Sequence, residues 1–273
     1  MLTVIVSYYK AIDNLKLILK ALNLQSCNNF EVIISEDDFN EETLKFISQN
    51  RDNYNFPIVH INQDSDKGFR KNEMLNKSIL KAKNEKIAFI DGDCVPHKHF
   101  VKNYIKYIEL NSICEGRAVL LDEKTTKFTI ENQTLKRLNF INLVATSAKA
   151  LKEGIYFPYF SLTFARGGRG IVGRNWGITK SLLLEVNGFD MDYIHAGVGE
   201  DVDIEWRLKM NGAKTISVKN RAIVYHLFHQ KTYSEDNVAN NYKLMAQKQK
   251  NNAKFCHNGI NKLDPDAKQQ KTT

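Results

Sequence analysis

The sequence has few cysteine and proline residues and no long apolar run. Among 273 residues there are 4 Cys and 4 Pro. The cysteines lie far apart, at Cys27, Cys94, Cys114 and Cys256, which excludes the paired spacing of a zinc site and the density of a disulfide framework. We therefore expect reduced thiols. The longest apolar runs are well short of the roughly 18 residues that a membrane-spanning helix requires.

A basic leader and a cleavage site are also missing at the N-terminus, where Met1 runs directly into an apolar, β-branched segment. This start favours a cytoplasmic protein over a secreted one. A hydrophobic content of 42% is enough for the core of one large domain or two small ones.

The first part of the chain alternates between strand-like runs and helical patterns. Residues 12–22 carry apolar side chains at helical spacing with Asp13 as a candidate N-cap, and a second helix is predicted over about 41–49. Three β-branched runs are typical of buried strands: Leu2–Ser7, Phe30–Ser35 and Ile58–Ile61. This order predicts an α/β fold with a Rossmann-like, mostly parallel sheet and helices on both faces.

A fourth apolar run, over residues 87–90, ends at two carboxylates separated by one glycine, Asp91-Gly92-Asp93. Carboxylate oxygens suit Mg²⁺ or Mn²⁺, which commonly bind together with substrate phosphates. Ligands of open parallel sheets bind outside the carboxyl ends of the strands, so this motif is a candidate metal site for a nucleotide. An ordinary Asx turn would explain the same three residues without a metal.

Basic residues open the next predicted helix, after the turn at Gly68. Arg70 and Lys71 stand at its N-terminal end, where cations do not complement the helix dipole. They either face an anion such as a phosphate or are simply solvated. The basic loop over residues 166–170 is similarly a phosphate clamp or a hinge.

A second acidic cluster lies in the later part of the chain. Glu200, Asp201 and Asp203 fall in the first turn of a predicted helix that ends at Gly212. The helix dipole alone accounts for acids there, whereas the preceding glycines would also let a ligand approach them. His226, at the end of a strand-like run, is either structural or completes a metal shell.

In this order, over about residues 2–230, the motifs resemble the inverting family 2 glycosyltransferases of the GT-A fold, enzymes of bacterial capsule, lipopolysaccharide and chondroitin-like polymer synthesis. The resemblance implies one GT-A domain over 1–230, with a nucleotide-sugar half at 1–113 and an appended acceptor-binding half at 114–230. A basic C-terminal extension follows at 231–273.

The resemblance also implies a role for each matching residue. The metal, Mn²⁺ or Mg²⁺, would be held by Asp93 and His226, and catalysis would rest on Asp201 as base with Glu200 orienting the acceptor. Acceptor contacts would come from Asn175, Trp176, Gly199 and Glu200. Donor contacts would come from Ser7, Tyr8, Glu36, Asp37, Arg70, Asn76, Asp91, Gly92 and Asp93.

The implied reaction moves a sugar from a UDP-sugar to a hydroxyl group of a saccharide or lipid-linked saccharide, with inversion. Two other classes remain open. A sugar nucleotidyltransferase would carry a Gly-rich basic loop after the first strand, and residues 7–10 lack one. A non-catalytic carbohydrate-binding protein would not need Asp93, His226 and Asp201 together.

The net charge is +8, and the excess is concentrated at the C-terminal end. Residues 231–273 contain eight lysines against four acids, a net charge of +4. No nucleic acid partner is expected. The apolar side chains among these lysines suggest peripheral contact with the cytoplasmic face of the inner membrane. The alternative is a solvated helix that packs on the domain, followed by a frayed end from Lys262 to Thr273.

Overall fold

The computed structural model describes residues 1–159, 170–197, 200–230 and 234–267. Its strands are β1 (Leu2–Tyr8), β2 (Phe30–Glu36), β3 (Ile58–Ile61), β4 (Lys86–Asp91), β5 (Cys94–Pro96), β6 (Ser112–Glu115), β7 (Arg117–Leu120), β8 (Asn175–Thr179), β9 (Lys214–Ser217) and β10 (Ile223–His226). Its helices are α1 (Ile12–Asn23), α2 (Glu41–Asn50), α3 (Lys71–Lys81), α4 (Phe100–Tyr107), α5 (Glu123–Glu131), α6 (Phe140–Val144), α7 (Lys180–Glu185), α8 (Glu200–Met210) and α9 (Glu235–Lys250).

The main sheet has seven strands in the order β3-β2-β1-β4-β8-β6-β9. The first four are parallel, whereas β8 runs antiparallel to both β4 and β6. In register, Ser7 of β1 lies beside Asp91 of β4 on one side and beside Ser35 of β2 on the other. The carboxyl ends of these parallel strands therefore form one edge, as the sequence predicts.

A smaller sheet of three strands, in the order β5-β10-β7, lies next to this edge. Strand β10 is antiparallel to β5, and its register sets His226 opposite Cys94. The backbone N–H of Leu227 also donates to the carbonyl of Asp93, at 2.8 Å. This pairing fixes His226 beside Asp93, although more than a hundred residues separate them in sequence.

Helices cover both faces of the main sheet because successive side chains of a strand point to opposite faces. Along β1, Val4 and Val6 pack in one hydrophobic cluster with α1 and α4, and Ile5 packs in a second cluster with α3, α7 and α8. The predicted α/β fold is confirmed. No helix in the described ranges is long and apolar enough to cross a membrane.

Two details of the sequence prediction are corrected. Strands β5, β6 and β8 were not expected. Asp13 lies in the first turn of α1 without capping it, and the cap position belongs to Ala11.

The C-terminal segment packs on the domain. After α9, the chain places Cys256, Ile260 and Ala267 among buried residues, and the latter two belong to the second hydrophobic cluster. The backbone N–H of Ile260 donates to the carbonyl of Asn187, at 3.0 Å. Up to Ala267 the segment is therefore part of the fold, and residues 268–273 lie outside the described ranges.

Candidate functional site

One small cavity, of about 10 Å³, brings together residues that the sequence places far apart. Ser7 of β1, Asp91 of β4, Lys71 of α3 and Asp201 of α8 all line it. The ammonium of Lys71 lies 3.0 Å from Oδ1 of Asp91. Sequence reasoning noted Lys71 but assigned the phosphate contact to Arg70, and the structure places Lys71 at the carboxylate.

Gly92 allows the end of β4 to approach β1 closely. A Cβ built at this position would lie 2.9 Å from the carbonyl oxygen of Ser7 and 3.1 Å from Cα of Tyr8. Both are backbone atoms, which cannot move aside as a flexible side chain would. The glycine between the two acids is therefore required by packing, and the carboxylates of Asp91 and Asp93 flank this contact.

Asp93 contacts two imidazoles rather than one. Its Oδ2 lies 3.4 Å from Nε2 of His226 and 3.1 Å from Nε2 of His229. One ligand atom from each of the three side chains lies within 4.8 Å of the others. Sequence reasoning paired His226 with Asp93 and missed His229, although a second histidine three residues after the first was the available signal.

The three side chains shift one another's pKa. Burial would raise the pKa of Asp93, but the hydrogen bond from His229 and the nearby His226 outweigh it and lower that pKa. Burial lowers the pKa of His226, and the hydrogen bond to Asp93 raises the pKa of His229 to about 9. Arg174 lies close enough to lower the pKa of both histidines, so it adds positive charge at this edge.

The donor set fits a divalent transition metal. One carboxylate and two imidazoles suit Mn²⁺, Fe²⁺ or Zn²⁺, whereas Mg²⁺ prefers oxygen ligands and keeps several waters. Of the two metals expected from the sequence, Mn²⁺ agrees better with these side chains.

Asp37 anchors the loop that precedes α3. Its Oδ1 accepts hydrogen bonds from Nε2 of Gln63, at 2.7 Å, and from the backbone N–H of Arg70, at 3.0 Å. Burial raises the pKa of this carboxyl to about 6. Asp37 is thus placed at the predicted nucleotide edge, with a visible role in holding the loop.

Two other residues expected to contact the donor are directed inwards. Glu36 is fully buried and its Oε2 lies 2.7 Å from Nε2 of His60, while Oε1 has no hydrogen-bond partner. The hydroxyl of Tyr8 lies 3.1 Å from Oγ1 of Thr43 in α2, and the side chain is 2% exposed. Neither side chain opens into the cavity that contains Asp91.

Arg70 does not line the cavity that contains Asp91. Its guanidinium donates to the carbonyl of Phe69, and the side chain lines a cleft of about 220 Å³ with Tyr193 and Asn258. This cleft lies between the start of α3 and the C-terminal segment.

Three residues predicted to contact substrate are buried. Asn76 is fully buried, and its amide both donates to and accepts from the backbone of Phe189. Asn175 is fully buried in β8 and bonds to Tyr104, Arg117 and Ala222. Trp176 is 1% exposed and stacks on Phe89 with ring centroids 4.5 Å apart, and it also lines the cavity that contains Asp91.

The acids of the cluster have different environments. Asp203 is 1% exposed and pairs with Arg207 at 2.7 Å, which in turn donates to the carbonyls of Val186 and Gly188. Asp201 lines the cavity, where its Oδ2 accepts from the backbone N–H of Gly173 at 3.0 Å. Gly199, the side chain of Glu200 and residues 166–169 lie outside the described part of the chain.

Comparison with solved structures shows similar folds at low identity. The mannosyltransferase PcManGT from Pyrobaculum calidifontis, solved with GDP-Man and Mn²⁺, superposes with a TM-score of 0.61 and 14% identity over 92% of this chain and 64% of that one. S. aureus TarS residues 1–349, solved with UDP, superposes with a TM-score of 0.58 and 15% identity over 90% of this chain and 64% of that one. GalNAc-T7, solved with UDP, GalNAc and Mn²⁺, superposes with a TM-score of 0.62 and 12% identity over 90% of this chain and 47% of that one.

The chain therefore spans less than two thirds of the length of each of these three proteins. No curated protein matches it. The profile of Glycosyl transferase family 2 matches residues 3–176, a stretch that contains β1, β4 and the Asp91-Gly92-Asp93 motif. With more than half of its residues in that match and the GT-A fold in its structure, the chain belongs to glycosyl transferase family 2.

Proposed function

We propose that the chain is a metal-dependent, inverting glycosyltransferase. It transfers a sugar from a UDP-sugar to a hydroxyl group of a saccharide or lipid-linked saccharide, in the synthesis of a bacterial surface polysaccharide. The observation that carries the proposal is that the predicted donor and acceptor residues lie together at one edge of the main sheet. Donor-side Asp91 and Lys71 line one cavity with acceptor-side Asp201, and the Asp93, His226 and His229 trio follows directly on Asp91.

The choice of nucleotide rests on relatives of the fold. TarS was solved with UDP and with UDP-GlcNAc, and GalNAc-T7 with UDP, whereas PcManGT was solved with GDP-Man. The sequence features that resemble the UDP-dependent enzymes favour UDP here. A GDP-sugar is the comparison that an experiment must include.

On the donor side, the positive groups have a defined task. A nucleoside diphosphate leaving group gains negative charge at the oxygen that leaves the anomeric carbon. Lys71 and Arg174 lie at this edge and stabilise that charge. A divalent ion held by Asp93, His226 and His229 would supply further neutralisation as a Lewis acid.

On the acceptor side, Asp201 takes the proton. The acceptor oxygen forms the new bond to the anomeric carbon from the face opposite the diphosphate, and the old bond breaks with its electron pair going to UDP. The hydroxyl proton passes to the Asp201 carboxylate, which the N–H of Gly173 holds in place. Attack from the opposite face inverts the anomeric configuration.

The test is a donor screen with product analysis. The protein is incubated with Mn²⁺ and a panel of UDP-sugars, with GDP-mannose as the comparison, and released nucleotide is measured with and without saccharide acceptors. We expect UDP release that requires Mn²⁺, and an anomeric proton coupling in the product opposite to that of the donor. Release of pyrophosphate would instead indicate a nucleotidyltransferase. Sugar binding without turnover would indicate a non-catalytic binding protein.

A further inference from the structure

Five large apolar side chains are exposed together in one stretch of the chain. They are Phe140, Ile141 and Val144 of α6, with 37%, 82% and 56% exposure, and Ile155 and Tyr159, with 41% and 84%. We call these five residues the apolar patch. Single exposed hydrophobic residues are common on protein surfaces, but a concentration of this kind marks an interaction site.

The stretch is anchored, so the exposure does not come from a detached loop. Leu138 and Leu143 are buried in the first hydrophobic cluster, and Leu151 packs against the same cluster. Helix α6 contacts the short turn at 151–154, which lies against β7 and β10. Within α6, Leu143 faces the core while Phe140, Ile141 and Val144 cover an arc of about 100° on another side.

The exposed charged side chains of this stretch have one sign. Lys136, Arg137, Lys149 and Lys152 are exposed within the same stretch, and we call them the basic rim. Between residues 132 and 159 the sequence contains one acid, Glu153. Its side chain is buried and lies 3.4 Å from Nζ of Lys219.

We propose that the apolar patch and its basic rim form a docking surface for an anionic lipid membrane. Apolar side chains that project among lysines and arginines can enter the boundary between headgroups and acyl chains, while the cations contact lipid phosphates. The partner is the lipid surface rather than a second copy of the chain, because two copies facing each other would oppose rims of the same charge.

This surface differs from the membrane contact that the sequence suggests at residues 231–273. There, Lys248 pairs with Asp190 and Asp192, and Cys256 and Ile260 are buried. The tail is thus engaged with the domain, whereas in the stretch over 136–159 the exposed groups include both the apolar residues and the cations. The proposal is independent of the reaction that the protein catalyses.

Vesicle flotation of the full chain tests the proposal. Vesicles of phosphatidylcholine with about 30% phosphatidylglycerol are compared with pure phosphatidylcholine, at low and high salt. We expect binding to the anionic vesicles that weakens with salt. The variant Ile141→Glu/Val144→Glu should bind about tenfold more weakly or worse, and Lys149→Gln/Lys152→Gln should lose most of the salt-sensitive part.

Matched controls separate the surface from general effects. Leu24 and Leu110 are 58% and 76% exposed elsewhere, so Leu24→Glu/Leu110→Glu changes apolar area and charge equally without touching the patch. Lys243→Gln/Lys250→Gln removes two positive charges from α9 and is the control for Lys149→Gln/Lys152→Gln. Both controls should bind as the unchanged protein does.

Insertion is tested directly by fluorescence. A tryptophan at Val144→Trp should be quenched by lipids brominated on their acyl chains, and one at Leu110→Trp should not. The proposal is overturned if the unchanged protein does not float with anionic vesicles, or if Ile141→Glu/Val144→Glu binds them equally well. It is also overturned if sedimentation shows a dimer that this variant dissociates while vesicles are not bound.

Discussion

The carboxylate of Asp93 is shared by two imidazoles. His226, the last residue of β10, and His229, three residues later, both approach Oδ2, at 3.4 Å and 3.1 Å. One carboxylate and two imidazoles are a donor set that suits Mn²⁺.

We predict that Asp93→Ala, His226→Ala and His229→Ala each weaken Mn²⁺ binding by about tenfold or more, since each removes a ligand. Free Mn²⁺ is measured by electron paramagnetic resonance on protein without nucleotide, so the result does not depend on activity. His257, which is exposed on the C-terminal segment, supplies the control His257→Ala. Unchanged Mn²⁺ affinity in His229→Ala would remove that residue from the site.

Asp201 carries the second prediction. Asp201→Asn keeps an oxygen to accept from the N–H of Gly173 but can no longer take a proton, so transfer to acceptor should fall by about 10²- to 10⁴-fold. UDP affinity, measured by calorimetry with Mn²⁺ present, should change little. A variant that transfers normally but binds UDP poorly would move Asp201 to the donor side.

The sequence singles out the acids at the end of β4 for a physical reason. Acids that end buried strands are costly without a partner, which is why Asp91 and Asp93 stand out. The burial of Asn76, Asn175 and Trp176 could not be predicted, because a motif gives residue types and not the direction of side chains. Lys71 is distinguished from its neighbour Arg70 only by the structure, which places its ammonium at Asp91.

Among the elements, α9 contacts the loop that leads to α8. The ammonium of Lys248 contacts both Asp190 and Asp192, and Nδ2 of Asn241 donates to the carbonyl of His195 at 2.9 Å. Asp190 is 2% exposed; burial raises the pKa of its carboxyl, and the ammonium of Lys248 acts in the opposite direction. The loop that leads to Asp201 is thereby tied to the C-terminal segment.

We predict that Lys248→Met destabilises the protein by about 3 kcal/mol, because it leaves a buried carboxylate without its cation. It should also raise KM for the acceptor more than it lowers UDP affinity. The neighbouring exposed residue gives the control, Lys250→Met. Adding Asp190→Asn to Lys248→Met should recover most of the lost stability in urea unfolding. Additive losses in that double variant would mean that the pair is not coupled.

Elements were predictable where their pattern was strong. The β-branched runs of β1 and β2 specify buried strands by composition alone. Strand β8 has the sequence Asn-Trp-Gly-Ile-Thr, in which asparagine and glycine disfavour a strand. Its position is set by its pairing with β4 and β6 and by the hydrogen bonds of Asn175 to Arg117 of β7 and to Ala222, just before β10. These tertiary contacts are not encoded in local propensity.

At the scale of the whole molecule, stability depends on pH through acids that folding buries. Burial raises the pKa of Asp37 to about 6, against about 4 for an unfolded aspartate. Between these two values the folded state binds the proton and the unfolded state does not. The free energy of unfolding contributed by this group therefore falls as pH rises from 4 to 6, and it levels off above pH 6.

The size of this effect follows from the shift. A difference of about two pKa units corresponds to about 3 kcal/mol, which is a large part of the stability of a typical domain. Asp37 also holds Gln63 and the N–H of Arg70. The protonation of Asp37 thus affects both the stability of the whole protein and the loop that precedes α3.

Urea unfolding of the unchanged protein and of Asp37→Asn, at pH values from 4 to 8, isolates this contribution, because asparagine resembles the protonated carboxyl. Relative to Asp37→Asn, we expect the free energy of unfolding of the unchanged protein to fall by about 3 kcal/mol between pH 4 and pH 7. Asp13→Asn, at a carboxylate exposed on α1, serves as the control for general charge effects. A difference that stays constant across this range, or that moves in the opposite direction, would show that Asp37 is not held protonated by burial. Its hydrogen bonds from Gln63 and Arg70 would then dominate over desolvation.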